Sequence, residues 1–234
     1  MIRVKIKVNF LPAELSGEVD LAVVVDVLRA TSTIVTALHA GASRVVPVET
    51  VEEAFAARQR EPRVLLAGER GGHMIPRFDL GYSPLDFTEE LVGGREIVMT
   101  TTNGTPAALR SKGAGKIVAA SFLNLARIIE EIGNEPGRVT IQCAGSVGVF
   151  SMEDVLLAGA AASIFEDHLL DDASRAAVFL FRSANVPLDR FLIDHCEHAK
   201  KLSSIGYFED VAFCAKINMY DLLPVWRENG FVRG

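Results

Sequence analysis

Asp26 directly follows Val23-Val24-Val25 and opens the segment DVLRATST, residues 26–33, where an apolar strand gives way to hydroxyl residues and then a helix. A carboxylate at the end of a buried strand is costly unless it meets a cation or hydrogen-bond donors. Arg29 stands three residues on, so a local Asp26–Arg29 ion pair is one reading. The other gives Asp26 to a metal or to nucleophilic attack, with Thr31, Ser32 and Thr33 offering hydroxyls and N–H groups to a phosphate. The same arrangement recurs as TTTNGTP at 100–106 and CAGSVGVFSMED at 143–154. Such junctions aim backbone N–H groups and the positive end of a helix dipole at one spot, which is where an anion binds. At the second, Thr102, Asn103, Gly104 and Thr105 form the candidate cradle, although Asn103 or Thr105 capping a helix that starts at Pro106 explains part of the run. At the third, Ser146 and Gly148 are placed to bring backbone against a ligand, and Glu153 and Asp154 fall in the first turn of the next helix.

A further stretch adds carboxylates. Gly68-Glu69-Arg70-Gly71-Gly72 comes straight off a predicted strand, and Asp79 follows in the same loop, where it also suits a turn. Asp26, Glu69, Asp79 and Asp154 are oxygen ligands of the kind Mg²⁺ prefers. Arg70 presents a planar fork suited to an oxyanion. The expected catalytic set is therefore Asp26, Arg29 and Glu69, with Mg²⁺ as cofactor. His73 lies in the same loop as an acid/base candidate, whereas His39 at a helix end needs only the dipole to explain it. His195 and His198, three apart on one expected helix face beside Asp194 and Glu197, have a spacing compatible with metal binding, and a solvated helix face is the preferred reading. Cys143 ends a strand and reads as a packed residue.

The elements that must hold these residues alternate. Residues 1–8, 21–25, 44–48, 63–67, 96–99, 116–119 and 139–142 carry strand patterns, and helical patterns follow most of them, with one over 51–60. That order predicts an α/β fold, a layered α/β/α arrangement with largely parallel sheet built from repeated strand-loop-helix units. Residues 68–84 have no sustained period and read as a long functional loop. Helices are expected over 171–182 and 189–201, then a polar turn into a short helix over 203–213, and a closing helix and tail containing Trp226.

An internal duplication is suggested by residues 38–46 and 110–118, both a helix end, a Gly-Ala step and a strand, with a third copy at 157–164. A glycine C-cap before any strand gives the same look. The chain is read as a single unit over 1–234, divisible into subdomains of about 1–95 and 96–234 with the active site between them.

Composition narrows the partners. The 234 residues carry 30 acidic against 24 Lys and Arg, a net charge of −6, which does not favour nucleic acid or an anionic membrane. The three cysteines have no CxxC spacing, so neither a disulfide framework nor a zinc site is indicated. No apolar run reaches membrane-spanning length, and the first residues read as a strand rather than a signal peptide. The expected location is the cytoplasm, and an apolar fraction of 49% admits a homodimer.

Taken in order, DVLRATSTIVTAL, LAGERGG, FDLGYSP, TTTNGTPAAL and CAGSVGVFSMEDVLLAGA resemble the magnesium-dependent 2-phosphosulfolactate phosphatases of coenzyme M biosynthesis, the ComB-like family. Arg77 and Tyr82 stand where that pattern has Gly and Asn. The resemblance implies Mg²⁺-dependent hydrolysis of the phosphate ester of a small sulfonated and carboxylated hydroxy acid, 2-phosphosulfolactate giving sulfolactate and phosphate. Two rivals stand beside it. A haloacid-dehalogenase-like phosphatase would share the strand-end Asp26 and the Thr-Asn strand end, but Leu28 occupies the place of its second Asp. A non-catalytic anion-binding module would gain nothing from carboxylates near its ligand. The nucleophile is Asp26, through an acyl phosphate, or an activated water.

Overall fold

The computed structural model describes residues 4–101 and 104–234. The chain begins with β1 (Lys5–Asn9), β2 (Leu21–Val25), α1 (Ala30–His39), β3 (Arg44–Pro47), α2 (Val51–Arg60), β4 (Leu65–Arg70) and β5 (His73–Met74). It continues through α3 (Glu89–Val92), β6 (Glu96–Thr100), α4 (Gly104–Arg110), β7 (Lys116–Ala120), α5 (Leu125–Asn134), β8 (Arg138–Cys143) and α6 (Met152–Ala162). Four helices follow, α7 (Asp172–Ser183), α8 (Leu188–His195), α9 (Glu197–Ser204) and α10 (Phe208–Cys214). The hairpin β9 (Pro224–Arg227) and β10 (Gly230–Arg233) closes the chain. Local chemistry explains the boundaries: Thr50 and Glu53, for example, form a reciprocal capping box that starts α2.

Among the described residues ten strands join in one sheet, ordered β1-β8-β2-β7-β9-β10-β3-β6-β4-β5. β1, β8, β2 and β7 pair in parallel, as do β3, β6 and β4. Between these halves the closing hairpin makes three antiparallel pairings in succession, β7 with β9, β9 with β10 and β10 with β3. The two parallel halves therefore run in nominally opposite directions. Each strand step adds a twist of about 20–25°, so the path from β2 through β7, β9, β10, β3 and β6 to β4 accumulates on the order of 120–150°. That twist turns the carboxyl ends of β2 and β8 and those of β4 and β6 towards a common region.

The sheet wraps α1. Residues 30–38 of this helix are all buried, as expected of a helix enclosed on every side. Its core cluster takes Ala22 and Val24 from β2, Ala119 from β7, Phe231 from β10, Val45 from β3, Met99 from β6 and Ala67 from β4. The opposite face of the β1-β8-β2-β7 half, with Ile6, Val23, Val25 and Ile141, packs under α5 to α10. A smaller cluster of Val46, Leu66, Val98 and Ala54 seals α2 onto the outside of the other half. This is the layered α/β/α arrangement expected from the sequence.

Three expectations are corrected. The closing segment is a β-hairpin, not a helix: Val225, Phe231 and Val232 continue the sheet, and the chain reverses at Glu228 with φ 56° and Asn229. Gly230 is required there, because a Cβ would lie 2.6 Å from the Val45 carbonyl oxygen. The helix expected over 189–201 breaks at Cys196, whose φ of −93° and ψ of 120° are extended. The third copy of the proposed repeat does not end a helix either. Gly159 sits inside α6, where a Cβ would meet the Ala177 carbonyl oxygen at 2.0 Å, so its role is to let α7 approach.

Phe231 joins the two halves of the sheet, is fully buried and meets the Trp226 ring edge-on at 5.1 Å. Phe231→Ala is expected to cost about 3–5 kcal/mol of stability in urea unfolding. A loss below 1 kcal/mol would mean that the hairpin is not an integral part of the sheet.

Candidate active site

The five residues of β2 are buried on both faces and deliver Asp26 to its carboxyl end, where the residue is only 5% exposed. The helix that follows meets this carboxylate. Ala30 N–H donates to Asp26 Oδ1 at 3.1 Å, and Thr31 Oγ1 accepts from Asp26 N–H at 3.1 Å while donating to the Asp26 carbonyl at 2.8 Å. Gly104 closes over the other oxygen; a Cβ there would sit 2.7 Å from Oδ2 and 2.4 Å from Ala30 Cβ. Asp154 lies behind, accepting from Val27 N–H at 2.8 Å and Gly145 N–H at 3.0 Å, and so ties the loop after β2 to the loop after β8.

Arg29 is not the partner of Asp26. Its guanidinium is ion-paired with Asp210, donates to the Gly72 carbonyl at 3.3 Å and lies over the Tyr207 ring at 4.1 Å. Asp210 is itself buried and accepts from Ser83 Oγ at 2.7 Å. These contacts fix the cation from three directions and leave it on the wall of a pocket of about 260 Å³. Asp26, Glu69, Tyr82, Thr101 and Ser146 line the same space, and α9 supplies the opposite wall with His198, Lys201 and Leu202. Glu69 Oε2 accepts from Gly72 N–H at 2.8 Å across the turn made by Gly71 and Gly72, both at positive φ. Behind His198, the buried Glu153 carboxylate lies 3.3 Å from Nδ1.

The electrostatics follow from burial. The Asp26 carboxyl is pushed up from 3.8 to about 6, first by loss of water; the Ala30 N–H and His198 oppose the rise, and the charges of Glu153 and Glu69 add to it. Burial also raises Asp154 well above the usual carboxylate range, reinforced by Asp26 and Glu153. The Tyr82 phenol is held well above 10 by burial and then by Asp26 and Glu69. The protein thus gathers carboxylates around the pocket at an electrostatic cost.

The sequence candidates separate into those that meet and those that do not. Asp26, Arg29, Glu69 and Ser146 face one pocket, and Gly104 packs directly on Asp26. Thr31, Ser32 and Thr33, expected on a phosphate, are buried and spend their hydroxyls internally, on the carbonyls of Asp26, Val27 and Tyr82. Asp79 pairs with Arg58 and accepts from Leu66 N–H at 2.7 Å, away from the pocket. Arg70 turns to Thr100 Oγ1 at 3.2 Å and lines a separate cleft with Arg110 and Lys112. Thr105 is buried beneath the site, and Gly148 lies at φ 73° in a turn beyond the lining residues. Thr102 and Asn103 lie outside the described residues. His73 is exposed on β5, and His195, on α8 rather than α9, is exposed beside the Phe191 ring.

The solvated face expected for His198 is overturned, because its ring is mostly buried and lines the pocket, and Lys201 and the Arg29–Asp210 pair were not singled out. Asp210 is 181 residues from Arg29, and no local pattern announces a partner at that separation. Glu153, Tyr82 and Ser83 did stand inside quoted motifs, so their presence was visible and their contacts were not.

Comparison with known proteins bears on the whole chain. The family model for 2-phosphosulpholactate phosphatase matches residues 9–229. A probable 2-phosphosulfolactate phosphatase of Thermotoga petrophila is 43% identical over 215 residues, covering 92% of each chain. Its namesake from Thermotoga maritima is 41% identical over 215 residues with the same coverage. The Deinococcus radiodurans protein of that name is 39% identical over 227 residues, 94% of this chain and 92% of its own.

The raised Asp26 carboxyl has a consequence for stability. Its folded value of about 6 exceeds the ordinary 3.8, so its contribution is full below about pH 3.8 and is lost as pH rises through about 6. In buffer free of divalent cations, Asp26→Asn should become more stable than the wild type above pH 6, by roughly 2–3 kcal/mol in urea unfolding. At pH 4 and below the difference should shrink. A difference independent of pH would show that the carboxylate is not held at a cost.

Proposed function

The chain belongs to the 2-phosphosulpholactate phosphatase family, and from that premise we propose that it hydrolyses 2-phosphosulfolactate to sulfolactate and phosphate in the pocket bounded by Asp26, Glu69 and Arg29. It is a phosphoric monoester hydrolase by this reading, and its substrate is a small phosphate ester. The observation that carries the proposal is the meeting of a buried carboxylate with no ion-pair partner, Asp26, with a buried and fixed guanidinium, Arg29, in one pocket. An anion binder needs the second and is weakened by the first.

The chain's own groups have distinct tasks. Arg29 retains donors beyond those spent on Asp210 and Gly72, and these suit phosphoryl oxygens. Because Asp210, Tyr207 and the Gly72 carbonyl fix it before substrate arrives, it needs no reorganisation on binding. Lys201, exposed on α9 at the pocket, is placed for a second negative charge of the substrate. Ser146 and Thr101 offer neutral hydrogen bonds on the remaining sides.

Among the described residues no three His, Cys, Asp or Glu side chains converge as a metal-ligand set. The donor chemistry nevertheless fits Mg²⁺, which binds through one or two carboxylates together with water and substrate phosphate. Asp26 and Glu69 are the two that face the pocket, and the rise in the Asp26 carboxyl reflects in part negative charge from Glu69. When bound, Mg²⁺ would neutralise charge on the phosphoryl oxygens and favour ionisation of water. Asp154 and Asp79, committed to backbone N–H groups and to Arg58, serve the scaffold in this proposal.

We place the reaction in coenzyme M biosynthesis and in the cytoplasm. The first rests on the family substrate, and the second is supported by three buried free cysteines. No helix among the described residues is long and apolar enough to cross a membrane.

Phosphate release from a panel of phosphorylated hydroxy acids, with and without EDTA, tests the proposal. 2-Phosphosulfolactate should be the preferred ester, and EDTA should stop its turnover until Mg²⁺ is restored. Absence of Mg²⁺-dependent release from every ester would favour the binding module. Glu69→Gln should remove the response to Mg²⁺, and unaltered activity would take Glu69 out of the metal site. Arg29→Met is expected to lower kcat/KM by about 10²–10³-fold.

A further inference from the structure

His198 enters the pocket from α9, a helix that none of the recognisable motifs reaches. Its ring is held from behind: Nδ1 lies 3.3 Å from Glu153 Oε1, and Glu153 is 1% exposed. The same carboxylate accepts a hydrogen bond from the Cys196 thiol. A buried carboxylate is costly unless it is paired and hydrogen-bonded, and here the pairing orients an imidazole towards a cavity. With Nδ1 engaged by Glu153, the second ring nitrogen, Nε2, is the one left for the cavity that His198 lines together with Asp26 and Arg29.

A phosphate ester of a hydroxy acid departs as an alkoxide, which is strongly basic and needs a proton as the bond breaks. The other proton carriers lining the pocket are committed elsewhere or poorly suited: Asp26 and Glu69 are the carboxylates assigned to Mg²⁺. Arg29 does not give up its proton in proteins, Lys201 is exposed, and the Tyr82 phenol is held well above its ordinary range and hydrogen-bonded to Thr101. We infer that His198 is the general acid of the reaction, giving the Nε2 proton to the leaving ester oxygen, and that Glu153 positions its ring through Nδ1. This rests on the phosphatase reading and adds to it a residue for departure of the alcohol. As the ester P–O bond breaks, its electron pair goes to the alkoxide oxygen, which takes the imidazole proton and leaves as the alcohol. The attacking water supplies its oxygen to phosphate and one proton back to Nε2, so the enzyme is restored.

General acid catalysis has a signature that a merely structural histidine lacks, because an ester whose alcohol is already acidic does not need the proton. Turnover of a phosphorylated hydroxy acid and of 4-nitrophenyl phosphate should be compared for the wild type, His198→Asn and Glu153→Gln, after circular dichroism has shown that each is folded. His198→Asn is expected to lose about 10²–10⁴-fold in kcat on the alkyl ester and less than about tenfold on the nitrophenyl ester. Glu153→Gln should give a smaller loss with the same bias. Equal losses on the two esters, or none on the alkyl ester, would overturn the assignment. Should either variant fail to fold, the wild type alone decides: kcat on the alkyl ester must fall in D₂O, and an unchanged kcat would overturn the assignment. A wild type inactive on every phosphate ester would instead sink the phosphatase reading, and this inference with it.

Discussion

The placement of one carboxylate under cover sets the terms for the rest of this protein. Asp26 ends a strand buried on both faces and has almost no water, so the groups around it are constrained to tolerate a charge or a proton there. The first N–H of α1, four residues on, supplies the nearest compensation. Gly104 follows from the same constraint, because the space beside Oδ2 admits no side chain. Asp154 adds a second buried carboxyl one layer deeper, and two backbone N–H groups from different loops hold it in place. The three polar junctions thus converge on a structural problem first and a chemical task second.

The cation that would balance Asp26 is deliberately spent elsewhere in part. Arg29 is paired with Asp210 from α10 and laid over Tyr207, so the pocket keeps a fixed guanidinium without quenching the Asp26 carboxylate. A direct Asp26–Arg29 pair would have neutralised both groups, and a phosphate would then have had to break it. The helices after α7 therefore complete the site: α10 holds the arginine, and α9 forms the wall carrying His198 and Lys201. Ser83, donating to the other oxygen of Asp210, links that arrangement to the loop after β5.

The closing hairpin has a comparable role in the fold. β9 and β10 lie between two parallel half-sheets that run in opposite senses and join them through three successive antiparallel pairings. The twist accumulated over those steps curls the sheet around α1 and brings the ends of β2, β8, β4 and β6 to one region. The pocket is therefore a product of sheet curvature as much as of its loops.

Much of this was legible in the chain. The strands at 21–25 and 44–48, the helix at 51–60 and the α/β class follow from apolar runs and caps, which are local properties. Asp26 and Ser146 were recognisable because each lies just past the end of a strand, and Glu69 because it follows the apolar run of β4. The closing hairpin was not read, although Asn229-Gly230 was its signal, because a short Trp-containing segment fits either period until a partner strand is known. Thr31 to Thr33 misled for a related reason: sequence shows that a hydroxyl is present, but not which buried carbonyl will claim it. The sequence by itself determined the local elements and the residue types at their ends, since those depend on neighbours within a few positions. Only the tertiary structure decided that Arg29 would meet Asp210 and that His198 would meet Glu153, because each contact joins segments whose proximity depends on how the whole sheet curls.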